Sequence, residues 1–180
     1  MTSAAAETEN SAKRIQIYRA GDAPLLTSDR VEDNTTAPGI ADRFAELGRA
    51  GFGEGHQIKR VFSAPGFTLT YVWFKSGFPL PRHTHNADCL YYIIAGELTF
   101  GTETLRANDG FFVPADVAYT YTPGPAGVEV LEFRATNRFD IRFLAASPSF
   151  WSRALETISA ERAGWATQPR PQDLPGPRAG

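Results

Sequence analysis

The sequence predicts an all-β protein, a single antiparallel β-barrel or sandwich with a short helix before it and a second helix packed outside after it. Three observations lead there. Between residues 56 and 143, short β-branched and aromatic runs broken by Gly, Pro and Asp follow one another in the pattern of antiparallel strands. These runs are spaced too closely for helical crossovers, which disfavours a parallel α/β sheet. The 180 residues, 42% of them hydrophobic, can bury one substantial core and not two, so one domain is expected over 15–165 with its barrel core at about 56–143.

Residues 1–14 and 166–180 are rich in Ala, Ser, Thr, Pro and Gly and are expected to be disordered tails, since they bury too little apolar surface to offset their ordering entropy. Residues 15–36 mix β-prone pieces with turn residues, which predicts an edge strand and connectors of the kind that pair with a second subunit. Ile40, Phe44 and Leu47 fall at i, i+4 and i+7 ahead of Gly48 and Gly51, predicting a short amphipathic helix over 40–50 that covers the barrel. The strands expected next are HQIKRVF, FTLTYVWF, PRHTH, CLYYII, ELTF, TLRA, GFFVP, AYTYT, VEVLEF and FDIRFL, with Asp109-Gly110 and Pro123-Gly124-Pro125 as turns. Ser147-Pro148-Ser149 then supplies an N-cap and a first-turn proline. Phe150, Ala154, Leu155 and Ile158 give that segment one apolar face, predicting a C-terminal helix of about fifteen residues.

Charge and cysteine content narrow the function classes. A net charge of -2 with 21% charged residues creates no field that would draw the chain to phosphate backbones or acidic lipid, so neither nucleic acid nor a membrane is an expected partner. Cys89 is the only cysteine and leaves no internal disulfide, which fits a reducing compartment. With no basic-then-apolar leader and no apolar run of spanning length, a cytoplasmic location is expected.

Two of the three histidines stand in Pro81-Arg82-His83-Thr84-His85. On an extended strand residues i and i+2 share a face, so two imidazoles can converge on one ion. Taken alone, the same pair also suits exposed loop histidines after Pro81.

The surrounding segment, GFPLPRHTHNADCLYYIIAG from Gly77 to Gly96, resembles the first motif of the cupins: a glycine, five residues, His-x-His, three or four residues, Glu, six residues, a glycine. Gly77, His83, His85 and Gly96 fall at the family's spacing. The family's second motif, G-D-x-x-x-x-P-x-G-x-x-H, aligns with residues 108–119, where Asp109 and Pro114 are retained. The resemblance covers about residues 56–135. It implies a cupin-like jelly roll, a homodimer and a small-molecule substrate.

Two positions depart from the motifs: Cys89 stands at the glutamate and Tyr119 at the second-motif histidine. The resemblance implies a divalent or ferric transition metal (Fe, Zn, Mn, Ni or Cu) on His83 and His85, with Cys89 and Tyr119 as candidates to complete the shell. Thiolate suits soft or borderline ions, and phenolate suits ferric or cupric ones. Cys89 is similar in position to the cysteine of some cupin-fold cysteine dioxygenases. Those enzymes keep a third histidine, for which His56 is the remaining candidate. Strand alternation turns Asp88 away from the pocket, toward a loop or hydrogen-bonding role.

Tyr119 and Tyr121 share one strand face, as do Cys89 and Tyr91, which predicts an aromatic-lined cavity for a small apolar or aromatic ligand. Tyr91, Tyr121, Trp73 and Arg82 are the candidate substrate-pocket residues, Arg82 as an anchor for an anionic group. Phe74 and Phe78 are expected in the core or the pocket wall. Three functions stay open. In a metal-dependent enzyme of oxygenase or isomerase/lyase type, the ion polarises a carbonyl or binds oxygen, Tyr119 is a fourth ligand or general acid, and Cys89 tunes the centre. In a metal-free epimerase or isomerase, His83 or His85 is the base opposite Tyr119 as acid. The third is a non-catalytic small-molecule binder.

Overall fold

The computed structural model describes residues 15–26 and 32–174. Its strands are β1 (Glu32–Asp33), β2 (His56–Ala64), β3 (Phe67–Phe74), β4 (His83–Thr84), β5 (Cys89–Phe100), β6 (Glu103–Arg106), β7 (Gly110–Val113), β8 (Thr122–Arg134) and β9 (Asp140–Phe143). Its helices are α1 (Ile40–Ala50) and α2 (Pro148–Trp165). The larger sheet runs β2-β3-β8-β5-β6, with β7 also paired to β5; the smaller runs β1-β9-β4. All pairs are antiparallel except β1 with β9. The two sheets face each other as a jelly roll and are not hydrogen-bonded into one closed barrel.

Alternation sorts the larger sheet's side chains onto two faces. Val72, Phe74, Tyr91, Ile93, Val128 and Val130 point into the main core, where they meet Leu47 of α1 and Ile158 and Trp165 of α2. Leu69, Tyr71, Trp73, Leu131 and Phe133 take the other face with Val61.

Three strand expectations change. CLYYII and ELTF form the single strand β5, which shifts register between Ile93 and Ala95 and again between Gly96 and Leu98. At Gly96 φ is 76°, and a Cβ there would sit 2.2 Å from the Gly127 carbonyl oxygen, so only glycine lets β5 and β8 cross this closely. Pro123-Gly124-Pro125 is not a turn: it opens β8, where a proline lacking an N–H is tolerated at a strand's start beside a register shift. AYTYT is not a strand either, since Tyr119 joins the sheet only through an isolated bridge to His83.

Both helices lie where the pattern places them. Gly51, at φ 110°, ends α1 by donating its N–H to the Leu47 and Gly48 carbonyls. Ser147 Oγ caps α2 by accepting from the Phe150 N–H, and Pro148 opens the first turn. Trp151, Ala154, Ile158 and Trp165 form the buried face of α2.

Residues 166–174 are packed, against the expectation of a disordered tail from 166. Gln168 accepts from the Ser76 N–H and donates to the Ala126 carbonyl, Pro171 is buried, and the Gln172 N–H donates to Glu129. Glu129 is fully buried on β8 and also accepts from the Tyr71 hydroxyl, so this segment completes the pairing of an interior carboxylate. Residues 1–14 and 175–180 lie outside the described residues, as do 27–31 of the expected N-terminal arm. In the described part of that arm, Leu25 bridges to Lys59 beside β2 and β1 pairs with β9. Among the described residues no helix is long and apolar enough to cross a membrane.

Candidate active site

Between the two sheets lies a cavity of about 300 Å³. β3 and β8 contribute Thr70, Val72, Glu132 and Arg134 to the lining; β4 and the residue after it contribute His83 and His85, β9 contributes Phe143, and the connection between β7 and β8 contributes Tyr119. One end is aromatic, with Phe52, Phe74 and Phe78 packed around His56 at ring separations of 5.6, 6.2 and 5.1 Å.

His83 and His85 share a face, as alternation requires, with ring centroids 5.1 Å apart. The His83 Nδ1–H donates to the Pro81 carbonyl (2.8 Å) and the His85 Nδ1–H to the Asp140 carbonyl. A carbonyl can only accept, so both rings carry their proton on Nδ1 and keep the Nε2 lone pair. Asp140 is itself held firmly: it is fully buried, its carboxylate accepts from the Asn86 N–H, Asn34 and Arg142, and its own N–H donates to Asn86. The strand segment carrying the His85 acceptor is thus clamped to the loop after His85.

Burial pushes the His83 imidazole down to about 3, helped by the field of His85, and the bond to Pro81 only partly opposes it. His85 is lowered too, by burial and then by Arg134, while the Asp140 carbonyl and Glu132 favour its charged form. Both rings are neutral near pH 7.

Tyr119 is fixed to His83 by two reciprocal backbone hydrogen bonds of 3.1 Å, which bring the rings to 4.4 Å. Its hydroxyl is hydrogen-bonded to that of Tyr91, which stacks at 4.4 Å on Phe111. Burial and the Glu132 carboxylate hold the Tyr119 phenol well above its ordinary value, and Tyr91 and Tyr121 are raised for the same reasons. The site therefore pairs neutral imidazoles, each with a free lone pair, with a phenol kept protonated.

No family model matches the sequence, and no curated protein matches it. Solved structures do. One is an RmlC-like cupin from Shewanella frigidimarina, at 15% identity over 68% of this chain and 92% of that one, with a TM-score of 0.46. A second is a protein of unknown function with a cupin-like fold from Ralstonia eutropha, at 14% identity over 84% and 90%, TM-score 0.49. A third is the polyketide cyclase RemF from Streptomyces resistomycificus, at 12% identity over 82% of this chain and 97% of that one, TM-score 0.55. The chain has a cupin fold.

The metal shell that the cupin resemblance implies does not fit these residues. His83 and His85 suit an ion, since ligating histidines typically anchor the second ring nitrogen on a carbonyl or carboxylate. The completing donors fail. Cys89 is buried away from the lining, its Sγ facing the Leu90 carbonyl at 3.9 Å, and burial pushes its thiol up to about 12. The Tyr119 oxygen is engaged with Tyr91 and held as the phenol. Among the described residues no three His, Cys, Asp or Glu side chains are grouped to hold a metal.

Other candidates move as well. Tyr121 lines the cavity as expected, while Tyr91 stands behind Tyr119 and not on the lining. Trp73 has the opposite parity to Val72 and Phe74 and packs on the outer face, with the Lys75 ammonium 5.1 Å above its ring. Arg82 is exposed outside the cavity. His56 reaches the cavity, but at the aromatic end and not as a third member of the histidine pair. Asp88 accepts from the Ala115 N–H, in a loop role as alternation predicts.

Among the lining residues that were not foreseen are Thr70, Glu132 and Arg134. Glu132 and Arg134 form an ion pair of 2.7 Å, with side-chain exposures of 13% and 1%. The Arg134 guanidinium lies 4.2 Å from the centre of the Phe139 ring. Burial alone would push Arg134 down, but Glu132 holds it above its ordinary value. The available signal was parity, since Val128, Val130, Glu132 and Arg134 share one strand face, and two charges on a face whose other members are core valines mark a polar site.

Proposed function

We propose that the chain is an enzyme catalysing proton transfer on a small, mainly apolar carbonyl compound, with His85 as base and Tyr119 as acid. The observation that carries this reading is the joint protonation pattern: imidazoles with the proton on Nδ1 and the lone pair on Nε2, beside a buried phenol that keeps its hydrogen. His85 Nε2 takes a proton from the carbon next to the carbonyl, and the C–H electrons form the C=C of the enol. The carbonyl oxygen takes the Tyr119 proton, and Tyr91 stabilises the phenolate left behind through its hydrogen bond. Return of both protons completes an isomerisation or epimerisation. Of the two imidazoles His85 is the better base, because Glu132 and the Asp140 carbonyl favour its protonated form while His83 is held near 3.

The test is solvent-deuterium incorporation at the α-carbon of a panel of aryl ketones and aldehydes, followed by proton NMR with untagged, chelator-treated protein. The expected result is exchange above background that His85→Gln and Tyr119→Phe each reduce by roughly a hundredfold or more. No exchange across the panel, or exchange that depends on one equivalent of added metal, overturns the reading.

A further inference from the structure

The inner face of the larger sheet changes character along its strands. Val72, Val130 and Ile93 form one cross-strand row; the next holds Thr70, Glu132 and Tyr91, directly opposite one another on β3, β8 and β5. Arg134 follows on β8. A buried ion pair on a largely apolar cavity is a weak source of stability, because desolvating two charges offsets much of their attraction. Within this patch the Thr70 hydroxyl and Arg134 Nε are buried without a hydrogen-bond partner. Such atoms in a native fold call for a ligand or a function.

We propose that Thr70, Glu132 and Arg134 form a polar subsite of the cavity that takes a hydroxyl group on the substrate, Glu132 accepting its hydrogen bond and Thr70 or Arg134 donating to its oxygen. The position of this subsite sets the substrate class. Tyr91 is the direct cross-strand neighbour of Glu132 and hydrogen-bonds to Tyr119, which lines the cavity with Glu132 and feels its charge, so the acid and the hydroxyl-receiving group share one part of the cavity. A carbonyl and a hydroxyl that close together belong to an α-hydroxy aldehyde or ketone. The assignment of the carbonyl rests on the acid–base reading above, and the subsite itself does not. Enolisation of such a compound gives an enediol; returning the proton to the other carbon moves the carbonyl with no oxidant or reductant required.

α-Hydroxyacetophenone and acetophenone, which differ only by the hydroxyl, serve as probes, with dissociation constants from calorimetry. The wild type is expected to bind the hydroxy ketone about tenfold tighter or more, since a site built for a hydroxyl penalises its absence. The double variant Glu132→Leu/Arg134→Met removes the pair without leaving one charge unpaired, and brings the ratio close to one. Should that variant not fold, Thr70→Val decides in its place, with a clear fall in the ratio expected. Equal affinity of the wild type for the two probes, binding of neither, or a preference unchanged in the deciding variant overturns the subsite. Deuterium exchange separates the two readings: preference without exchange keeps the subsite and sinks the acid–base chemistry, and exchange without preference does the reverse.

Discussion

Tyr91 extends Tyr119: the two hydroxyls are hydrogen-bonded, so the phenol on the cavity wall is backed by a second one behind it. Tyr91→Phe removes that partner and leaves the lining unchanged. The expected effect is a fall in kcat of about tenfold with little change in KM, smaller than the 10²–10⁴-fold loss typical of removing the acid itself in Tyr119→Phe. Equal losses in the two variants would place Tyr91 in direct contact with the substrate.

The buried histidines make the fold sensitive to acid. With its folded-state value near 3 against about 6.5 in the unfolded chain, His83 lets the unfolded state bind the extra proton throughout that interval. Stability contributed by neutral His83 is complete above about pH 6.5 and falls as the pH drops toward 3, with His85 and His56 shifted in the same direction. Urea midpoints measured from pH 7 to pH 4 should decline, and His83→Asn should flatten the curve. A wild-type profile with no slope contradicts this account.

Breaking the interior ion pair should be worse than removing it. Arg134→Met leaves Glu132 buried without its cation and strips the contact over Phe139, costing about 3–5 kcal/mol. The double variant with Glu132→Leu should recover most of that loss in equilibrium unfolding at pH 7. Additive losses would show that the two residues are not energetically coupled.

Cys89 should behave as a core residue. Its thiol is almost fully buried and raised to about 12, so iodoacetamide at pH 8 should leave the native protein unmodified and label the urea-unfolded chain fully. Cys89→Ala should retain activity while lowering stability by about 1–2 kcal/mol, as expected for a small cavity. Rapid native labelling or lost turnover would return the residue to the site.

What could be read from the chain is what depends on local geometry. Alternation placed His83 and His85 on one face, and the Ser147 cap and the Gly51 stop bound their helices. What could not be read depends on which strand meets which. The parity that groups Tyr91 with Cys89 holds, yet how far each side chain reaches the cavity is decided by Tyr119, which fills the space in front of Tyr91. Trp73 carries a pocket-like side chain on the wrong parity, because both faces of β3 are apolar and hydrophobicity alone does not say which one is inner. Glu132 and Arg134 are neighbours of Thr70 and Tyr91 only after three strands separated in sequence have come into register.

The Glu129 carboxylate reaches the Gln172 N–H across 43 residues of chain. During synthesis, strand β8 emerges well before that amide does, and until it arrives the sheet carries an acidic group with half its bonding unmet. The last bond to this interior carboxylate therefore forms only once residue 172 has emerged and joined the fold.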